Sequence, residues 1–370
     1  MYVESLELKN YRNYDRISLH FDRETNVLYG DNAQGKTNIL EAIQLAATTK
    51  SHRGSYDREM IRFGEDEAHL RLVFRRNEVS HRIDMHLKKS GKKGVAIDGI
   101  PIRKASELFG MISVVFFSPE DLNIIKNGPS ERRRFMDSEL CQLDKVYYTD
   151  LTELNRILTQ RNALLKDIPF HPYLEQTLDV WDEQLIRRGI PIIESRRAFI
   201  GHLNDIIGKI HANLTNGREN IEIIYEPNVE VSNFKEMVAG SRPKDLKMKT
   251  STVGPHRDDF RVNINGVDIR HYGSQGQQRS AALSLKLSEI YLVKESVGDT
   301  PVLLLDDVLS ELDSSRQAML LKRMDEAQTF ITCTGMDELI ENHFSVNRAF
   351  HIVNGTVENQ EDVWKQNQPL

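Results

Sequence analysis

Two cysteines in 370 residues, Cys141 and Cys333, leave no room for a disulfide framework and supply no metal-binding Cys/His spacing. No apolar stretch approaches the roughly 20 residues that a bilayer-crossing helix needs. Glu4, Glu7 and Lys9 interrupt the opening residues, where a secretory leader would need a continuous apolar segment. These absences exclude a secreted disulfide scaffold and a membrane channel, and the expected location is the cytoplasm. Internal repeats, low-complexity tracts and long heptad arrays are also missing, so the chain is neither a solenoid nor a long coiled coil. The formal net charge of −6 argues against a surface coated in positive charge for gripping polyanions. A local basic face remains compatible with it.

What is present is ordinary in bulk and specific in detail. The apolar fraction is 39% and the charged fraction 28%, as in soluble globular chains. The length suits two lobes. Arg16 to Asp22 alternates apolar and polar residues, the period of a half-buried strand. Asn26 to Tyr29 is a short apolar strand running into Gly30, and Ile39, Leu40, Ile43, Ala46 and Ala47 have helical spacing. Asp98-Gly99, Asn265-Gly266 and Asn354-Gly355 each suit a two-residue hairpin turn. From about Pro129 to Asn213 the spacing is helical, broken near Pro169 and Pro172. The expected division is residues 1–117 with 297–370 as an α/β lobe, and 118–296 as an inserted, largely helical lobe.

Three motifs carry chemistry. Gly30-Asp31-Asn32-Ala33-Gln34-Gly35-Lys36-Thr37 matches the phosphate loop G-x-x-x-x-G-K-[ST], lying between a strand and a helix as it must. Backbone N–H groups and the helix N-terminus there suit the phosphates of ATP, Lys36 the β- and γ-phosphates, and the Thr37 hydroxyl Mg²⁺. Pro301 to Leu305 followed by Asp306-Asp307 reads as a buried parallel strand ending in carboxylates. Two adjacent aspartates repel unless a cation sits there, so Asp306 is the second metal candidate and Asp307 the water-activating base. Ser274-Gln275-Gly276-Gln277-Gln278 precedes a helical run and the acidic strand. It offers a hydroxyl, a glycine and free N–H groups, a second anion site with Ser274, Gly276 and Gln277 as candidates.

Together these residues resemble the SMC-like branch of the ABC ATPases, and within it the RecF family of bacterial recombination and repair proteins. Leu6 to Tyr14, Ser118 to Leu122, Gly128 to Asp137 and Gly254 to Asp259 are similar to that family's blocks, so the likeness spans essentially the whole chain. The stretch from Lys36 to Ser274 is too short for the long arm of an SMC protein. The resemblance implies a two-lobed, SMC-head-like P-loop ATPase without a long coiled coil. It further implies an ATP-closed homodimer in which Ser274 binds the γ-phosphate held by the opposite subunit. The implied DNA is duplex, gapped or junction, the implied partners are RecR- and RecO-type mediators, and the implied roles are replication, repair and the SOS response. Ser310-Glu311-Leu312-Asp313 resembles the loop that crosses the dimer interface.

The chain departs from the wider ABC pattern. Asp307 stands where many members have glutamate, and Thr334 lies near the usual position of a sensing histidine. Ser118, Glu120 or Asp121 occupies the place of a metal-contacting glutamine, and whether these residues or Arg53 reach nucleotide or metal is open. Slow turnover follows as an expectation. Basic clusters at Arg75-Arg76, Lys88 to Lys93, Arg132-Arg133-Arg134 and Arg196-Arg197 are the candidates for DNA, Lys88 to Lys93 first. His256 and Arg257 have a structural reading as ties. Two other classes compete: a transporter's ABC ATPase subunit, which is shorter between loop and signature, and a P-loop kinase or GTPase, for which no guanine-reading Asn-Lys-x-Asp is present.

Overall fold

The computed structural model describes residues 1–53, 56–309, 312, 316–317, 320, 326–335 and 345–362, with side chains through 358. The chain divides into two compact units, Met1–Pro119 with Glu289–Leu370, and Glu120–Ser288.

The first unit opens with an antiparallel hairpin, β1 (Tyr2–Tyr11) and β2 (Tyr14–His20). Ile17 and Leu19 point inward while Ser18 and His20 face solvent, so the period-2 pattern of the sequence is the pattern of burial. Next come β3 (Thr25–Tyr29) and the helix α1 (Lys36–Thr48). The hairpin β4 (Glu67–Arg76) and β5 (Val79–Lys88), then the short β6 (Gly94–Ile97) and β7 (Ile100–Pro101), complete a six-stranded antiparallel sheet ordered β2-β1-β4-β5-β6-β7. β8 (Val114–Phe117) is apolar throughout and buried on both faces.

The second unit holds α2 (Leu122–Lys126), α3 (Pro129–Leu143), α4 (Lys145–Asp167) and α5 (Leu178–Leu214). The break between α4 and α5 falls where Pro169 and Pro172 stand, yet Pro191 is carried inside α5. The unit also contains β9 (Ile221–Glu226), α6 (Phe234–Met248), β10 (Asp259–Ile264), β11 (Val267–Asp268) and α7 (Ile269–Tyr272). β11-β10-β9 form a small antiparallel sheet, so this part is less purely helical than its sequence suggests. The helix α8 (Gln275–Val297) starts in this unit and runs into the first.

The chain then supplies β12 (Val302–Asp306), β13 (Thr329–Cys333), β14 (Arg348–Val353) and β15 (Thr356–Asp362). With β3 and β8 they form the sheet β15-β14-β3-β13-β12-β8, in which only the β14–β15 pair is antiparallel. Val302 to Leu305 are fully buried, as a strand covered on both faces requires. Each such side chain contributes about 1.5–3 kcal/mol of burial. All three Asx-Gly pairs are hairpin turns with positive φ at both positions: Asp98 and Gly99, Asn265 and Gly266, Asn354 and Gly355.

Buried arginines organise the second unit. Arg161 on α4 is fully buried and donates to Asp182 and Asp245, each at 2.7 Å, and to Ser251 at 2.9 Å. Arg196 on α5 donates to Asp137 and Asp258, both at 2.8 Å, and to the Pro255 carbonyl at 2.6 Å. Burial holds the Asp258 carboxyl above its usual range, and Arg196, Tyr225 and the Asn228 N–H offset only part of that rise. Such pairs are weak net stabilisers, but breaking one strands a buried charge at a cost of about 3–5 kcal/mol. Arg161→Leu should therefore lower the unfolding free energy of the second unit in urea by about 3–5 kcal/mol, whereas an unchanged value would contradict the burial of Asp182 and Asp245.

Candidate functional site

β3 delivers the chain to Gly30, whose φ of 138° only glycine adopts readily, and Gly35 follows at 114°. A Cβ at Gly30 would strike the Ile352 carbonyl oxygen on β14, and one at Gly35 would lie 2.5 Å from Asn13 Nδ2 and 2.8 Å from the Tyr14 hydroxyl. The loop is clamped from two hairpin turns. Asn13 Nδ2 donates to the Gln34 carbonyl at 2.8 Å and the Tyr14 hydroxyl to the Gly35 carbonyl at 2.9 Å. From the other turn, Asn354 N donates to Gln34 Oε1 at 2.6 Å. Asp31, Asn32 and Ala33 remain exposed, so the inner rim of the loop opens to solvent.

Lys36 opens α1, and its ammonium curls back to the carbonyls of Gly30 at 2.5 Å and Asp31 at 2.8 Å. Burial lowers its pKa, while the Asp307, Asp306 and Asp31 carboxylates oppose that shift. Beside it, the Thr37 hydroxyl donates to Asp306 Oδ1 at 2.7 Å. Thr332 on β13 donates to the same oxygen at 2.8 Å and accepts the Asp307 N–H at 3.0 Å. Asp307 is held at a φ of 53°, an uncommon conformation for a residue with a side chain, with that side chain exposed at the sheet edge. A hydroxyl and a carboxylate oxygen converging in this way suit a hard divalent cation such as Mg²⁺. The backbone of residues 30–35 suits a chain of phosphates.

In the second unit, Ser274 and Gln277 form a reciprocal cap at the start of α8. Gln277 N donates to Ser274 Oγ at 3.2 Å, and Ser274 N to Gln277 Oε1 at 3.0 Å. Ser274 and Gly276 are exposed. Gln277 Nε2 also donates to Glu219, which hydrogen-bonds the buried His211, so the cap is braced from within its own unit.

Several expected site residues lie elsewhere or do other work. Arg132 is buried and paired bidentately with Asp259, Arg133 donates to the Asp258 carbonyl, and Arg196 is interior, leaving Arg134 as the exposed member of its triplet. Arg75 pairs with Glu4 at 2.9 Å and Arg76 donates to the Gly110 carbonyl. Lys93 turns inward to Asp57 and the Thr49 carbonyl, Lys89 is exposed but pairs with Asp66 at 3.4 Å, Lys92 is exposed and Lys88 is half-buried. His256 and Arg257 both bond the Ser251 carbonyl as structural ties. Arg53 is exposed and reaches Asn38, next to Thr37, at 3.4 Å. Ser118 directly follows β8, Thr334 is exposed beyond β13, and Glu120 and Asp121 belong to the second unit. Ser310, Glu311 and Asp313 lie outside the described residues.

Asn13, Tyr14, Thr332 and Glu219 were not anticipated. The Ser-x-x-Gln spacing at 274–277 is a capping signal visible in the sequence. Nothing local marks the others, because each acts on a distant segment.

A strand, glycine loop and helix beside a parallel acidic strand, with antiparallel sheet and a largely helical insertion, define an ABC-type P-loop ATPase of the SMC-head kind. The family model described as RecF/RecN/SMC N terminal domain matches residues 2–358. A protein of Agathobacter rectalis named DNA replication and repair protein RecF is 59% identical over 97% of this chain and 99% of its own length. A Clostridium acetobutylicum protein of the same name is 45% identical over 96% and 99%. A solved structure described as the recombination mediator protein RecF-ATP in the RecFOR pathway superposes with a TM-score of 0.91 at 37% identity, covering 97% of both chains. A Pyrococcus furiosus Smc head shares the fold at 18% identity and a TM-score of 0.55. The chain belongs to the RecF/RecN/SMC family and, within it, to the RecF proteins.

The double hold of Thr332 on Asp306 and Asp307 sets a test. Hydrogen bonds to charged groups are worth about 1.5–3 kcal/mol. Thr332→Val should slow single-turnover ATP cleavage about tenfold or more, with nucleotide affinity nearly unchanged. Equal rates would mean that this hydroxyl does not set the acidic edge.

Proposed function

We propose that this chain is an ATP-dependent DNA-binding protein of replication and recombinational repair, switched between a monomer and an ATP-closed homodimer. The observation that carries this reading is the Thr37–Asp306 hydrogen bond, which brings the phosphate loop and the acidic strand into one oxygen-lined corner. The similarity to ATP-bound RecF along nearly the whole chain supports it.

In this reading Gly30 to Thr37 hold the ATP phosphates, with the Lys36 ammonium released from the Gly30 and Asp31 carbonyls to the β- and γ-oxygens. Thr37 and Asp306 hold Mg²⁺, which when bound neutralises phosphate charge. Asp307 Oδ accepts a proton from the attacking water. Its side chain is shorter than the glutamate common in the class, and Thr334 replaces a sensing histidine, which together favour slow turnover suited to a switch. Ser274, Gly276 and the first N–H groups of α8 receive the γ-phosphate carried by a second copy, so each half-site needs its partner. ATP would close the dimer on duplex, gapped or junction DNA, and hydrolysis would release it in concert with RecR- and RecO-type mediators. A transporter subunit is the weaker reading, since such subunits are shorter between phosphate loop and signature and the likeness is to DNA-repair proteins.

Three measurements test it. Lys36→Ala should abolish ATP retention, whereas Ser274→Arg should retain ATP on the monomer and remain monomeric in sedimentation. ATP-dependent dimerisation of Ser274→Arg at wild-type strength would rule out the signature assignment. ATP turnover should rise with duplex DNA and the stimulation should fade as salt increases, because phosphate contacts release counterions. A rate indifferent to DNA would move the trigger to a protein partner.

A further inference from the structure

The antiparallel sheet of the first unit carries a side-chain cluster with no part in the nucleotide site. His69 on β4 and His86 on β5 stand directly opposite each other in the strand register. Their rings stack at 4.3 Å between centroids and 18° between planes. Glu67 precedes His69 by two positions and therefore shares its face of the strand. His86 Nε2 lies 2.8 Å from Glu67 Oε2. One donor atom from each of the three residues falls within 4.8 Å of the others. Glu67 and His69 are exposed and His86 is half-buried.

We propose that Glu67, His69 and His86 form a binding site for a divalent transition-metal cation of the zinc class. Two imidazole nitrogens and one carboxylate oxygen are a common donor set for such ions, and an open position remains for water. Metal–nitrogen bonds of about 2.0–2.1 Å require tetrahedral donors roughly 3.3 Å apart. The cluster must close by rotation of exposed side chains, while the paired strands keep the Cα positions fixed. The cation would take the place of the hydrogen now shared by His86 and Glu67.

The charges of Lys88 near Glu67 and Lys9 near His69 oppose any dication. That opposition selects against Mg²⁺ and Ca²⁺, whose binding depends on several anionic oxygens, and in favour of ions with intrinsic affinity for imidazole. The site therefore differs in kind from the all-oxygen corner at Thr37 and Asp306.

Calorimetric titration of the untagged, nucleotide-free full chain with Zn²⁺, in excess Mg²⁺, should show one saturable site. His69→Ala and His86→Ala should each weaken it by about tenfold or more, and Glu67→Gln should weaken it less. All three positions lie on an exposed face, and circular dichroism of each variant checks that it folds. Absence of saturable Zn²⁺ binding would overturn the proposal. So would binding undiminished in the His69→Ala, His86→Ala double variant, since the metal would then sit on other histidines or cysteines.

Discussion

One carboxylate oxygen, Asp306 Oδ1, joins three segments that are far apart in the chain. It accepts Thr37 from the phosphate-loop helix and Thr332 from the neighbouring strand, while Thr332 also takes the N–H of Asp307. The knot sits where β3, β13 and β12 run side by side, so the sheet order itself brings the acids to the loop. A parallel arrangement is needed for this, because it places the ends of β3 and β12 at the same edge. The burial of Val302 to Leu305 anchors the strand firmly enough to hold two aspartates at a charged edge.

The phosphate loop is rigid for a related reason. Its glycines are crowded by Asn13, Tyr14 and Ile352, and its carbonyls are tied to two hairpin turns. The loop's shape thus depends on antiparallel elements as much as on its own sequence. Arg12 extends the brace with a two-pronged ion pair to the buried Glu41 of α1, at 2.6 and 2.8 Å. The helix that presents Lys36 and Thr37 is fixed along its first turns.

Basic residues divide into two populations that charge counting cannot separate. Arg132, Arg161 and Arg196 are interior organisers, each paired with carboxylates from other elements. Their desolvation is compensated by several hydrogen bonds at fixed geometry, which favours one arrangement of the helices over its neighbours. Under the proposed function, nucleic-acid contact falls to the arginines and lysines left at the surface. A run such as Arg132-Arg133-Arg134 overstates the available positive face, since only Arg134 is exposed.

The sequence by itself determined the phosphate loop, the acidic strand, the Asx-Gly turns and the long helices, because each depends on local periodicity or on residues within a few positions. The Gly-x-x-x-x-Gly-Lys-Thr spacing is legible as a strand-loop-helix motif, although its clamps come from elsewhere, and the alternation along β2 survives into the burial pattern unchanged. Tertiary structure alone decided that Thr332 would share Asp306 with Thr37, that Asn13 would clamp Gln34, and that three prominent arginines would vanish into the interior. It also placed His69 against His86. In every such case the partners come from different strands or helices, so their meeting depends on sheet order and register, which no local pattern encodes.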